Sequence, residues 1–236
     1  TVNMEKKNSL HFEDSQSRRL GTAGSFKYYP VFLNLYGRKA VVVGGGKVAE
    51  RKVLTLIRAG AVVRVISPDI TTTLDKLKKR KLLTHIKRNY KTGDLKDAFI
   101  VIAGTSSDEI NKGIAQDAKH LVNVIDKPSE GNFIAPSIVK RGPLTIAIST
   151  GGISPATSKT IRKELEKLYG AEFTRYLNFL RVIRKKALEE IKDNKKRQEF
   201  LKSLASEKIF KALKGKGFPY LSKLIRQEFS KISALF

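Results

Sequence analysis

The feature that most restricts this chain is a run of three glycines lying directly after a short apolar run and directly before a helical pattern. Ala40-Val41-Val42-Val43 suits a buried strand and Gly44-Gly45-Gly46 breaks it; Val48, Leu54 and Ile57 then recur at helical spacing until Gly60. A second strand, Val62 to Ile66, is closed by Ser67-Pro68. Strand, glycine turn, helix and strand in that order make one βαβ unit with a right-handed crossover. The alternation continues: Thr72 to Lys79 reads as helix, Leu83 to Ile86 as a short strand, Phe99 to Ala103 as a buried strand, Glu109 to Lys119 as helix and Leu121 to Ile125 as strand. This pattern predicts the α/β class, a parallel sheet covered on both faces.

After about Phe133 the pattern changes. Pro136 to Val139 leads into Lys140-Arg141-Gly142-Pro143, read as a turn, and then into a strand, Leu144 to Ser149. Ser154-Pro155 opens a helix, with serine at the N-cap and proline at the first helical position. Ile161, Leu165 and Leu168 are expected on its inner face, and Gly170 is expected to end it. Beyond Gly170 the chain reads as helix only. Phe173, Tyr176, Leu177, Leu180, Leu188 and Ile191 follow the helical repeat, and further helices over Phe200 to Leu213 and Leu221 to Leu235 are separated by Gly215 to Pro219.

Gly44-Gly45-Gly46-Lys47-Val48-Ala49 fits the pattern G-x-G-x-x-G/A. Gly44 allows a tight turn, Gly46 lets backbone approach a pyrophosphate, and Ala49 permits close helix–strand packing. Free N–H groups at the helix start then face the phosphates. A fingerprint after a strand and at the head of a helix is in the context that nucleotide binding requires; a structural glycine turn is the alternative. Dinucleotide-binding units usually place an acid about 20 residues on, at the end of the second strand, to hold the ribose. Here Ser67 stands there, then Pro68 and Asp69, so the ribose falls to Asp69 or to Ser67 itself. The missing acid leaves NADP open, but no arginine follows Ser67 to hold a 2′-phosphate, which favours NAD. Thr105, after the strand ending at Ala103, is a further candidate cofactor contact.

Asp126 stands just past the strand Leu121 to Ile125, at the sheet edge where open α/β sheets bind ligands. A carboxylate there can serve as general base or meet a metal; a turn-forming Asp before Lys127-Pro128 is the other reading. Ser149-Thr150-Gly151-Gly152-Ile153-Ser154 leads into a helix N-terminus and could form an anion pocket, with simple capping as the alternative. His11, His85 and His120 have no metal-ligand spacing. Arg184-Lys185-Lys186 and Lys195-Lys196-Arg197 read as a solvated helix face, with nucleic-acid contact as the alternative.

Lys and Arg number 47 against 22 Asp and Glu, a formal charge of +25, and such an excess calls for an anionic partner unless it is simply solvated. Cysteine is absent, which removes disulfides, thiolate metal sites and cysteine nucleophiles. No apolar run approaches the roughly 18 residues of a membrane span. Thr1 to Ser25 is polar, without the apolar stretch of a signal peptide, and reads as a disordered tail. The expectation is a soluble, cytoplasmic protein.

Five blocks then carry a resemblance: Tyr29-Pro30-Val31-Phe32-Leu33-Asn34-Leu35, Val43 to Lys52, Asn123-Val124-Ile125-Asp126, Phe133-Ile134-Ala135-Pro136-Ser137, and Ile148 to Pro155. In this order they resemble the precorrin-2 dehydrogenase family, alone or as the dehydrogenase/ferrochelatase part of siroheme synthase, over Tyr28 to Gly170. The resemblance implies NAD-dependent oxidation of precorrin-2, a polycarboxylate tetrapyrrole, to sirohydrochlorin; some members also insert ferrous iron, here through a transient site near Asp126 rather than a permanent metal site. It implies a homodimer with a Rossmann domain (residues 26–134), a dimerisation region (135–170) and a helical C-terminal domain (171–236). The family's catalytic aspartate falls on Asp126, and its dinucleotide contacts fall on Gly44, Gly45, Gly46, Lys47, Val48, Pro68 and Asp69. Ser149, Thr150 and Gly151 become candidate substrate contacts. Some siroheme synthases carry a phosphorylated serine where this chain has Thr150, so that regulation is not expected here. A cofactor-sensing module without catalysis and a nucleic-acid-binding protein are the rival readings.

Overall fold

A computed structural model describes residues 28–233; the tail read over residues 1–25, and His11 within it, lie outside the described residues. The chain divides into two compact units, residues 1–135 and 136–236. The region from 135 to 170 and the helical segment after it, expected as separate regions, share the second.

The first unit is built on five parallel strands: β1 (Lys39–Val43), β2 (Val62–Ile66), β3 (Thr84–Ile86), β4 (Ile100–Ala103) and β5 (Leu121–Val124), in the spatial order β3-β2-β1-β4-β5. Every pairing is parallel, with Val43 opposite both Ile66 and Ala103. All four residues of β4 are buried, as are Ala40 to Val43, because helices cover both faces. Alternate side chains feed two cores. Ala40, Val42, Val63 and Val65 pack with Ala49, Val53 and Leu56 of α1 (Lys47–Arg58) and Leu74 of α2 (Thr72–Lys79). Val41, Val43, Val101, Val122 and Val124 pack with Ile114 of α3 (Asp108–Asp117). The strand order reverses between β1 and β4, since chain progression runs outward to β3 on one side and to β5 on the other. In such a sheet the crevice at the carboxyl ends of the two strands flanking the reversal is the natural ligand site.

In the second unit β6 (Ser137–Arg141) and β7 (Leu144–Ile148) form an antiparallel hairpin. The turn is tighter than the sequence suggested. Lys140 and Arg141 pair with Thr145 and Leu144, so only Gly142 and Pro143 turn, and Gly142 takes the positive φ (+57°) that two-residue hairpin turns demand. Helix α4 (Pro155–Leu168) starts as expected, with the Ser154 hydroxyl accepting from Thr157 N at 3.2 Å. Its end differs from expectation: Arg141 donates to Tyr169 O (2.9 Å) and Glu166 O (3.2 Å), and Gly170, at φ −75°, is the N-cap of the next helix rather than a left-handed stop. The expected inner face also differs. Ile161 and Leu168 are 36% and 46% exposed, so within one chain that apolar stripe stays open.

The remaining helices are α5 (Ala171–Glu190), α6 (Asn194–Ser203) and α7 (Glu207–Ser233). Phe173, Tyr176, Phe179, Ile183 and Ala187 form the buried stripe of α5 and meet Phe200, Leu213, Leu221, Ile225 and Phe229. Leu188, expected on that stripe, is exposed: it follows the buried Ala187 and lies about 100° further round the helix, off the stripe. The helix expected over Phe200 to Leu213 is interrupted after Ser203, where Tyr176 donates its hydroxyl to Leu204 O. Helix α7 is broken at Gly217 (φ +77°, ψ 171°), inside the expected separator, and the Phe218 N–H there donates to Glu172 Oε2 at 3.4 Å. Among the described residues no helix is long and apolar enough to cross a membrane.

Candidate dinucleotide site

The carboxyl ends of the parallel strands line up the candidate groups in one row. Ser67, Pro68 and Asp69 follow β2, the glycine turn follows β1, residues 104–107 follow β4, and Asp126 follows β5.

The three glycines have separate duties. Gly44 sits at φ +121°, and a Cβ there would lie 2.2 Å from Gly104 O, so this position both needs a left-handed backbone and lets the loop after β4 close in. Gly45 has another constraint: its Cβ would lie 1.9 Å from Asp69 O and 2.9 Å from Ser67 Oγ. The loop after β2 therefore rests on the middle glycine, and Thr71 N donates to Gly45 O at 3.1 Å. Around Gly46 a Cβ would meet nothing within 4 Å. That open space lies at the head of α1, whose N-cap, Gly46, has no side chain to occupy the first-turn N–H groups. The other two α-helices of this unit are capped by side chains: Thr71 accepts from Leu74 N and Ser107 from Ile110 N, both at 3.3 Å. An uncapped helix start beside empty space, with Lys47 exposed next to it, fits a diphosphate. Val48, 37% exposed, borders the same turn, while Ala49 is buried against the sheet as close packing requires.

At the tip of β2, Ser67 is buried and Asp69 exposed. Glu50 accepts a short hydrogen bond from the Thr71 hydroxyl, and its carboxylate is 3.6 Å from Lys47 Nζ. That Thr71 bond first, and Lys47 after it, hold the Glu50 carboxyl below its ordinary range. Ser67 O is bound by the His85 ring through Nε2 at 2.8 Å, so this histidine pins the loop. Arg64, the arginine nearest to Ser67 in the sequence, lies within β2, and Asp94 is held by Arg88 through two hydrogen bonds of 2.7 Å.

Thr105 is placed beside the turn, but its polar groups are engaged elsewhere. Its N–H and hydroxyl meet Asn111 Oδ1 (3.0 and 2.9 Å), and its carbonyl accepts from Asn111 Nδ2 (3.1 Å). Asp126 is exposed and adopts φ +64°, a left-handed conformation that Asp tolerates better than most residues. A half-buried lysine on α1 is coupled to it. Burial pushes the Lys52 ammonium pKa down, Arg51 pushes it further, and Asp126 pulls it back up. Sequence reasoning gave no role to Lys52 or Asn111, because both depend on contacts between elements.

The candidate substrate residues lie in the second unit. The Thr150 hydroxyl accepts from Ser154 N (3.1 Å) and lies 3.2 Å from Ser158 Oγ, and the Ser149 hydroxyl accepts from Gly151 N (3.0 Å). Gly151 and Gly152 both have positive φ. These groups shape the loop that leads to the Ser154 cap of α4. Among the described residues no group of three or more His, Asp or Glu could hold a metal ion.

Comparison with known proteins fits this geometry. Residues 31–137 match the family described as putative NAD(P)-binding, and residues 141–168 match the central domain of sirohaem biosynthesis proteins. The chain is 36% identical over 174 residues to a siroheme synthase of Methylobacillus flagellatus, covering 72% of this chain and 37% of that protein. It therefore spans well under half the length of the siroheme synthases it matches. A solved structure of the precorrin-2 dehydrogenase SirC superposes with a TM-score of 0.75 at 27% identity, over 86% of this chain and 100% of that one. The precorrin-2 dehydrogenase of Bacillus subtilis is 35% identical over 159 residues, which are 66% of this chain and 98% of that protein. With nearly the whole of that relative accounted for, this chain belongs to the precorrin-2 dehydrogenase family.

Proposed function

We propose that this protein oxidises precorrin-2 to sirohydrochlorin with NAD bound across the β1/β4 crevice. The observation that carries this reading is the row along the carboxyl edge: an uncapped helix start at Gly46 and, on the strand beyond β4, the exposed carboxylate of Asp126. The N–H groups of Lys47 and Val48 would hold the diphosphate, and the segment Ser67 to Asp69 the adenosine ribose. NAD is favoured over NADP because Asp69 presents an exposed carboxylate just past β2 and no arginine follows Ser67 to hold a 2′-phosphate.

When bound there, the nicotinamide supplies the hydride acceptor. Removing a hydride from the macrocycle leaves a proton to be lost, and Asp126 is placed to take it. The formal charge of +25 suits a substrate carrying many carboxylates, whose capture a positive field speeds by roughly 10–10³ at low salt. The open stripe of α4, with Ile161 and Leu168 uncovered, supports a homodimer in which a second copy covers it. Ser149, Thr150 and Gly151 would then serve the substrate by shaping their loop.

The test supplies precorrin-2 with NAD or with NADP, each with and without ferrous iron, and follows the macrocycle spectrum. Sirohydrochlorin forming with NAD and much more slowly with NADP is the expected result. A further change on adding iron would extend the activity to metal insertion. No oxidation with either dinucleotide would discard the proposal.

A further inference from the structure

Asn111, which engages Thr105 beside the glycine turn, is a buried polar side chain with both ends of its carboxamide hydrogen-bonded. It lies on α3, is 4% exposed, and spends its whole carboxamide on one residue. Its Oδ1 accepts from Thr105 N (3.0 Å) and from the Thr105 hydroxyl (2.9 Å), and its Nδ2 donates to Thr105 O (3.1 Å). A side chain that bonds both the N–H and the C=O of a loop residue fixes that residue as a strand neighbour would. The Thr105 hydroxyl oxygen also accepts from Ser107 N at 3.2 Å and lies 3.0 Å from Ser107 O, so the clamp extends to the cap of α3.

The clamped loop is one wall of the crevice. Gly104 N donates to Val43 O at 2.9 Å, continuing the β1–β4 ladder, and Gly104 O is the atom that a Cβ on Gly44 would strike. The spacing between the glycine turn and the loop after β4 is therefore set on one side by the absent Cβ of Gly44 and on the other by Asn111. Ser106, exposed between two tied residues, carries the hydroxyl of this loop that the clamp leaves free.

We propose that Asn111 is a positioning residue for the dinucleotide: its buried carboxamide holds residues 104–107 against the glycine turn at the separation the ligand needs, and offers Ser106 to it. This rests on the reading that a nicotinamide dinucleotide occupies the β1/β4 crevice.

The test measures NAD binding by calorimetry, turnover at saturating NAD, and thermal melting for wild type, Asn111→Ala, Asn111→Asp and Asn132→Ala. Asn132 is a control for mere destabilisation: it binds Val122 N (2.8 Å) and His120 O (2.6 Å) at the opposite, amino end of β5. Asn111→Ala should weaken NAD by about tenfold, the order expected when buried hydrogen bonds are lost, and should leave kcat at saturating NAD within about twofold. Asn132→Ala should lower the melting temperature but leave NAD affinity in place. Asn111→Asp sets a carboxylate against Thr105 O at neutral pH. As the pH falls and that carboxyl protonates it regains a donor, so its NAD affinity should recover toward wild type, which shows no such gain. Wild-type affinity in Asn111→Ala, or equal weakening in Asn132→Ala, overturns the proposal while leaving dinucleotide binding intact. A wild type that binds neither NAD nor NADP overturns both.

Discussion

Alanine at Gly45 and alanine at Gly46 should have opposite signatures, although the two positions are adjacent. At Gly45 the new Cβ would lie 1.9 Å from Asp69 O and 2.9 Å from Ser67 Oγ. Ordinary contact begins beyond 3 Å, so the backbone after β2 must move by roughly an ångström, and overpacking of this kind costs about 1–3 kcal/mol. For a unit of this size that is a fall of roughly 3–15 °C in melting temperature. The displaced segment is also the one expected to hold the ribose, so NAD affinity should fall with stability. At Gly46 nothing lies within 4 Å and the backbone is at φ −80°, so alanine is accommodated, and at an N-cap the change costs under about 1 kcal/mol. The melting temperature should hardly move, yet the methyl occupies the space through which the diphosphate reaches the head of α1, and NAD binding should drop at least tenfold. Gly46→Asp should abolish it by adding charge repulsion. Melting without ligand and calorimetry with NAD distinguish the two cases. A Gly45→Ala protein as stable as wild type, or a Gly46→Ala protein with normal affinity, would refute the division of duties among the glycines.

Other outcomes follow from the same contacts. The Asp94 carboxyl is held below its ordinary value of 3.8, chiefly by the Arg88 guanidinium. A carboxyl depressed on folding contributes stability that is complete above the unfolded value and is lost as pH falls through the folded one. Below about pH 4, then, the wild type should lose melting temperature more steeply than Asp94→Asn; parallel curves would remove the ion pair from the acid response. Ile161→Asp places a charge in the open stripe of α4 and should convert a dimer to monomers in sedimentation without lowering the melting temperature of the isolated chain; unchanged mass would argue against that face. Gly217→Ala forces a left-handed φ on a residue with a Cβ and should destabilise the helical unit by roughly 1–2 kcal/mol in denaturant unfolding, with NAD affinity untouched.

The central strands were legible because they are buried on both faces. Ala40 to Val43 is a continuous apolar run that no exposed element would carry; Val62 to Ile66, interrupted by Arg64 and with Val62 exposed, was legible from its place after the glycine turn and helix, and β2 and α2 fall where the pattern placed them. The position of Asp126 followed from the same rule, since a residue just past a parallel strand can only emerge at the carboxyl edge. What stayed hidden was set by contacts between distant segments. The need for glycine at position 45 comes from the carbonyl of Asp69, and the commitment of Thr105 from an asparagine on the next helix; neither leaves a periodic trace. The stripe on α4 was read correctly as apolar and wrongly as buried, because hydrophobic spacing reveals a face to be covered without saying by what. In α5, choosing Leu188 over Ile183 and Ala187 shows how an aliphatic-rich helix offers more than one plausible stripe until its neighbours select one.

The dehydrogenase account stands or falls on Asp126. The direct measurement compares wild type and Asp126→Asn from parallel preparations, recording NAD affinity and, in the same cuvette, the rise of reduced nicotinamide with the change in the macrocycle spectrum. The account predicts equal NAD affinity and a loss of oxidation rate of about 10²–10⁴ in the variant. Oxidation at the wild-type rate in Asp126→Asn would contradict it.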